Sequence, residues 1–262
     1  MTASDDFSGG GETFPKNHSL SSASPKVAAC ILDLDGTLYH QTQVRLKMFL
    51  RLLMRIAVRP LETASIWRAL VAYRRAQEVL RMQSPICPSI ADEQVRMASG
   101  ATRLPETFVR ECVREWMEEA SLNLLRAAMR AEIVSFLRAA RAQGLRLAVW
   151  SDYPATAKLR AMDLASYFDA VVCAQDPAVQ LFKPNSRGLE VILEQLGLSR
   201  EEVVYIGDRP EVDGVAAANA GVRCFIIGKK RPAKGLQVAG TWMAVSSFDE
   251  VLDWLNRNRY RQ

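Results

Sequence analysis

Two periods of apolar residues take turns along the second half of this chain. The runs "LRLAVW" (145–150), "DAVVCA" (169–174), "EVVYIGD" (202–208) and "VRCFIIG" (222–228) are short, nearly continuous apolar segments bounded by Gly, Asp or Ser. Such runs predict strands buried on both faces. Between them, "AEIVSFLRAARAQG", "ATAKLRAMDLAS", "SRGLEVILEQLG" and "PEVDGVAAANAG" carry the 3.6-residue period of helices. Gly144, Gly197 and Gly221 stand where helices end. Ser199 with Glu202, and Ser247 with Glu250, have capping-box spacing, the second opening a last helix, "FDEVLDWLNRN".

"VAACILD" (27–33) supplies an earlier strand. Strands alternating with helices predict an α/β fold, a Rossmann-like doubly wound parallel sheet. Residues 43–126 break the alternation: they are rich in Arg, Leu and Ala, helical in period, and contain no strand pattern. The organisation expected is therefore an α/β core domain from 26–42 and 127–262, interrupted by a small all-helical domain over 43–126. Eleven of the first 25 residues are Ser, Gly or Pro, which predicts a disordered tail over 1–25.

Composition narrows the class. The chain has 262 residues, 49% hydrophobic and 24% charged, ordinary for a globular protein. The tail lacks the apolar stretch of a signal peptide, and no run of about 18 apolar residues occurs. The five cysteines form no C-x-x-C pair, and Cys30, Cys173 and Cys224 fall within predicted strands. A reducing cytoplasm is the compartment these features suit.

The net charge of +5 is unevenly placed. Residues 41–100 hold ten basic side chains against four acidic ones, a local balance of +6. In "VRLKMFLRLLMRIAVRP", Lys47, Arg51, Arg55 and Arg59 recur every four residues opposite Leu46, Phe49, Leu50, Leu53 and Ile56–Ala57. The expected arrangement is a solvated basic face on a helix packed through its apolar side, with Trp67, Trp116 and the methionines of this segment in its core. The alternative is a surface that meets an anionic membrane. "GKKRPAK" (228–234) adds a second basic patch. No recognition motif or aromatic interleaving accompanies the charge, so nucleic acid is not an expected partner.

In an open parallel sheet, ligands bind beyond the carboxyl ends of the strands. Asp33 and Asp35 follow the first strand, Ser151 and Asp152 follow "LAVW", and Asp208 follows "VVYIG"; Asp213 comes five residues later, and Lys183 lies in "LFKPNSRG". Four carboxylates on one rim repel one another, by roughly 4 kcal/mol per pair at about 4 Å and a dielectric near 20. Lys183 supplies one positive charge. A divalent ion is the natural remainder, and an all-oxygen donor set favours Mg2+.

"DLDGT" (33–37), Ser151, Lys183 followed by Pro184, and "GDRPEVD" (207–213) resemble the four ordered motifs of the haloacid dehalogenase-like (HAD) hydrolase superfamily. The helical insertion after the first strand resembles that superfamily's cap. Two features depart from the pattern: Asp152 stands where many relatives carry Asn, and "DPAVQLF" lacks a glycine often found before the lysine.

The resemblance implies a phosphatase of small phosphorylated substrates. Asp33 would be the nucleophile that forms an aspartyl-phosphate, and Asp35 would donate and later take a proton. Mg2+ would be held by Asp33, Asp208 and the main-chain carbonyl of Asp35, with Asp213 supporting Lys183 or the metal's water shell. Ser151 and Lys183 would bind the phosphoryl group, Gly36 would let the backbone approach it, and Thr37 would fix the loop. Tyr39 and His40 follow this loop in the sequence; His40 is expected as a loop residue, the alternative being that one of the two lines the substrate entrance. Asp35 argues against dehalogenation, since relatives with that activity usually lack an acid there. A phosphomutase, a peripheral phosphatase of a lipid-linked phosphate and a non-catalytic binding module remain the competing readings.

Overall fold

In a computed structural model that describes residues 26–228 and 242–259, six parallel strands form one sheet in the order β3-β2-β1-β4-β5-β6. The strands are β1 (Ala29–Leu32), β2 (Arg146–Ser151), β3 (Ala170–Cys173), β4 (Val203–Gly207), β5 (Arg223–Ile227) and β6 (Trp242–Val245). The expected tail over 1–25 lies outside the described residues, as does all of "GKKRPAK" except Gly228.

β1 sits at the centre, with Leu32 in register with Val149 of β2 and Ile206 of β4. Every residue of β1 and of β4 is buried. Successive side chains point to opposite faces, so the two faces bury different sets. Cys30, Leu32, Val149 and Ile206 pack with Phe136 and Phe248, under α6 (Ile133–Ala142), α7 (Thr156–Ala161) and α10 (Phe248–Arg259). Ala29, Ile31, Trp150 and Tyr205 pack with Leu189, Ile192 and Ala217, under α8 (Arg187–Leu196) and α9 (Val215–Ala220). Each large apolar side chain buried this way is worth about 1.5–3 kcal/mol, and the doubly wound sheet follows from covering both faces.

Three elements differ from the sequence pattern. β6 was not predicted: it is an edge strand in which only Val245 is buried, so it lacks the continuous apolar run of a central strand. The helix predicted over 155–166 stops at Ala161, and Asp163 adopts a left-handed φ of 56° before a short turn at Ala165–Tyr167. "PEVDGVAAANAG" opens as a wide helical turn, Pro210–Gly214, and only then becomes α9. Gly144, Gly197 and Gly221 do close their helices, at φ of 71°, 59° and 68°.

Between β1 and β2 run α1 (Gln41–Ile56), α2 (Pro60–Gln83), α3 (Ile90–Thr102), α4 (Glu106–Val113) and α5 (Leu122–Ala128). Helices α1–α4 share a core that includes Leu52, Ile66, Tyr73, Val95, Val109 and Cys112, whereas Leu125 and Ala128 of α5 pack with the side chains that cover the sheet. Ser89 caps α3 by accepting from the Asp92 amide at 3.2 Å.

The orientation of α1 reverses the expectation. Its buried residues are Val44 and Leu52, and Arg51 and Arg55 share their side of the helix. Arg51 donates to the Ala120 carbonyl at 2.8 Å, while Arg55 pairs with Glu62 and lies 6.0 Å from the Trp116 ring centroid. Long basic side chains can cover apolar surface with their stems while their heads find partners. The face bearing Leu46, Phe49, Leu50, Leu53 and Ile56 is left exposed. Trp67 is 48% exposed, and Met54 and Met82 are exposed too, so none of the three belongs to a core.

Candidate active site

The carboxyl end of the sheet collects the polar residues that follow β1, β2 and β4. Asp33 leaves β1 with its amide bonded to the Ile206 carbonyl at 2.8 Å, which continues the ladder one residue beyond the strand. Its carboxylate is buried. Oδ1 accepts from Lys183 Nζ at 2.5 Å and Oδ2 from the Thr37 hydroxyl at 2.9 Å.

Lys183 is itself buried, and its ammonium also donates to Asp213 Oδ1 at 3.0 Å and to the Tyr205 hydroxyl at 2.7 Å. Burial disfavours its charge, but Asp213 and Asp33 outweigh that, and its pKa lies above the ordinary lysine value. Tyr205 donates to Asp213 Oδ1 at 2.6 Å, and Asp213 Oδ2 faces the amides of Asp208 and Arg209 at 3.3 and 3.1 Å. Asp213 is thereby saturated with donors.

Asp208 projects from the end of β4 and makes no side-chain hydrogen bond among the described residues. Burial first, and then Asp213, pushes its carboxyl up to about 6. Asp33 is likewise raised well above the ordinary value by burial, with Asp213 and Asp208 adding to the effect and Lys183 opposing it. One oxygen each of Asp33, Asp208 and Asp213 lies within 4.8 Å of the others. Three carboxylates around one ammonium leave two negative charges, which a divalent cation would offset. Since Asp213 is occupied, Asp33 and Asp208 are the pair with lone pairs to spare, and hard oxygen donors suit Mg2+. Gly36 borders the same place: at φ 109°, a Cβ there would stand 2.3 Å from Asp208 Oδ2.

Asp35 turns to a different cation. Lys158 Nζ, on α7, lies 2.7 Å from each of its carboxylate oxygens, and the Tyr39 hydroxyl donates to Oδ1. Burial alone would raise its pKa, but Lys158 and Tyr39 more than offset that and hold it below the ordinary value. His40 is exposed and caps α1 without a side-chain bond.

Ser151 ends β2, buried, and its Oγ accepts from the Tyr153 amide at 3.2 Å, which leaves the hydroxyl proton for a ligand. Asp152 does the structural work at this corner. Its Oδ1 accepts from the Lys183 amide at 3.2 Å, and its Oδ2 from Arg81 at 2.8 Å and Gln77 at 3.0 Å. Arg81 also donates to the Lys183 carbonyl. Helix α2 is thus tied to the loop that positions the lysine.

Arginines surround the approach. Arg130 donates to the carbonyls of Gly36 and Thr37 at 3.0 Å each, bracing the loop after β1. Arg45, on the first turn of α1, is held below the usual arginine value by desolvation first and then by Arg74 of α2; Arg209 adds to this, while Asp35 and Tyr39 attract it. Among the described residues, neither Arg45 nor Arg74 has a carboxylate within salt-bridge distance.

Sequence reasoning collected Asp33, Asp35, Ser151, Lys183, Asp208 and Asp213, and these all lie along this edge of the sheet. It missed Lys158, Tyr205, Gln77 and Arg81. For Lys158 a signal existed: it is the first cation after Ser151, on the helix leaving the same strand end.

A family model described as haloacid dehalogenase-like hydrolase matches residues 27–221, and the chain belongs to that family of hydrolases. It is 26% identical over 230 residues to a phosphoglycolate phosphatase of Rhodospirillum rubrum, a match covering 87% of this chain and 90% of that one. It is 33% identical over 89 residues to the pyrophosphatase PpaX of Halalkalibacterium halodurans; there the match covers 33% of this chain and spans 40% of that relative's length. Among solved structures, a 2-haloacid dehalogenase from Pseudomonas syringae pv. tomato DC3000 superposes with a TM-score of 0.64 at 18% identity, covering 88% of this chain and 99% of that one, a likeness of fold.

Proposed function

We propose that this hydrolase is a Mg2+-dependent phosphatase that cleaves a small phosphate monoester through an aspartyl-phosphate on Asp33. The observation that carries the reading is the cluster of buried Asp33, Lys183 and Asp213 with half-buried Asp208 at the carboxyl edge of the sheet. Asp33 and Asp208 would hold the metal, together with the Asp35 carbonyl. Bound there, Mg2+ would offset negative charge on the nucleophile and on the phosphoryl oxygens.

Asp33 attacks phosphorus through a carboxylate oxygen as the ester P–O bond breaks. Lys183 keeps the Asp33 carboxylate fixed and balances charge on the phosphoryl group, with Asp213 and Tyr205 fixing the lysine. Ser151 donates its hydroxyl proton in a hydrogen bond to a phosphoryl oxygen. Asp35, two residues along, protonates the leaving oxygen; it then takes a proton from the water that cleaves the acyl-phosphate and frees Asp33. Lys158 and Tyr39 orient Asp35 for both tasks.

Helices α1–α5, over the expected 43–126, act as a cap that selects the substrate, tied to the core through the contacts of Arg81 and Gln77 with Asp152. Arg45, Arg74 and Arg209 favour a substrate with a second anionic group beside the scissile phosphate. The phosphatase relatives are named for phosphoglycolate and pyrophosphate, both of which carry such a group.

A phosphate-release screen over monoesters with and without a second anion, in Mg2+ or EDTA, tests the proposal on wild type and Asp33→Asn. Release that needs Mg2+ and disappears in the variant supports it. Retained release in folded Asp33→Asn would refute the aspartyl-phosphate.

A further inference from the structure

The face of α1 that the cap leaves uncovered continues around the hairpin into α2. Met54 is 68% exposed, Val58 78% and Leu61 85%, at or beside the turn between the two helices. Behind them Phe49, Leu53, Ile56, Pro60 and Trp67 line an apolar cleft of about 420 Å3. A second cleft of about 380 Å3 adjoins it, shares Trp67 and Arg68, and also takes in Val71, Arg75 and Met97. Contiguous exposed apolar surface rimmed by polar residues is the kind that marks an interaction site.

Charge decides what covers it. Residues 41–77 carry eight basic side chains and a single acid, Glu62. That acid is taken up by Arg55 and Arg59 at the hairpin turn. Lys47 lies exposed at the edge of the apolar face, and Arg68 and Arg75 border the clefts; none of the three has a carboxylate within salt-bridge distance among the described residues, and Arg68 donates to the Thr102 carbonyl at 2.7 Å. A second copy of the chain would bring the same excess of cations against itself. An anionic lipid surface complements both features, since apolar side chains enter the acyl boundary while cations meet head groups.

We propose that the α1–α2 hairpin docks this protein on anionic bilayers, with Leu53, Met54, Val58 and Leu61 entering the interface and Trp67 seated at head-group depth. The surface is built from the apolar face of α1, whereas the stripe of Arg51 and Arg55 is spent on contacts within the protein. The inference does not depend on which phosphate ester is cleaved.

Co-sedimentation of the full chain with vesicles of phosphatidylcholine and phosphatidylglycerol, against phosphatidylcholine alone, tests it at low and moderate salt. The comparison variant is Leu53→Ser with Met54→Ser and Leu61→Ser, which leaves the net charge unchanged and alters only exposed positions. Wild type should bind the mixed vesicles and bind phosphatidylcholine far less. The triple variant should lose at least tenfold in partitioning while remaining folded by circular dichroism. Arg75→Ala should weaken binding about fivefold, the equivalent of one cation near the surface. Three results would each overturn the proposal: no wild-type binding to mixed vesicles; binding that survives in the triple variant; or self-association that the triple variant abolishes with no vesicle binding, which would assign the face to a second copy.

Discussion

Lys158 grips Asp35 by both carboxylate oxygens, 2.7 Å from each, across 123 residues of chain. The pair puts a lysine against the residue that would handle protons, while Lys183 serves Asp33, the proposed nucleophile two positions earlier. Replacing Lys158 by Met removes the cation that holds the Asp35 pKa below its ordinary value, so that pKa rises. The expected outcome is a kcat about tenfold to a hundredfold lower, within the range general acid–base catalysis contributes. At saturating Mg2+, which would hold Asp33 and Asp208 ionised, the acidic limb of the pH–rate profile should also move to higher pH. An unchanged limb would mean that Lys158 does not govern Asp35.

Asp152 and Arg81 form a mostly buried ion pair that connects α2 to the lysine loop. Arg81 keeps a second acid, Glu78, at 3.2 Å. Breaking a buried pair from one side leaves an uncompensated charge, at a cost of about 3 kcal/mol. Asp152→Asn should therefore lower stability by that order in urea denaturation, and Arg81→Met with Asp152→Asn should recover part of it. Strict additivity in this double-mutant cycle would rule out the coupling.

Gly36 faces Asp208 so closely that an alanine there must displace one of them. Its φ of 109° adds backbone strain for any L side chain. Gly36→Ala should raise the Mg2+ concentration needed for half-maximal activity by about tenfold or more, the scale seen when support around a metal is disturbed. Titrating Mg2+ at saturating substrate gives the answer. A lower kcat at an unchanged Mg2+ requirement would place the damage elsewhere.

How far the sequence discloses this protein depends on whether a feature is local. Asp33, Ser151 and Asp208 are legible because each directly follows an apolar run, and parallel strands bring their carboxyl ends to one edge. Tyr205 is not, because inside "VVYIG" it reads as another core side chain; only the fold puts its hydroxyl on Lys183 and Asp213. Lys158, Gln77 and Arg81 act through contacts between elements far apart in the chain. The orientation of α1 was hidden for a related reason. Helical periodicity shows which residues share a face, but not which face meets a neighbour, and here Arg51 and Arg55 found partners that turned the apolar side outward.

The raised pKa of Asp208 makes a prediction about stability with its sign fixed. Its carboxyl titrates at about 6 in the folded chain, against about 4 when unfolded. Between those values the folded state holds the extra proton, so stability from this group is fully present below about pH 4 and falls as pH rises through about 6. Burial and the neighbouring Asp213 cause the loss, and Asp33 is raised in the same direction. A divalent cation between Asp33 and Asp208 would supply the missing countercharge, and it competes with the proton for the same oxygens. Mg2+ should therefore raise Tm more at pH 7.5 than at pH 5. In EDTA, Asp208→Asn should be more stable than wild type at pH 7.5 and lose that advantage at pH 5. Thermal unfolding with and without Mg2+ at the two pH values measures both effects. Equal Mg2+ stabilisation at both would show that the cation does not bind at these carboxylates.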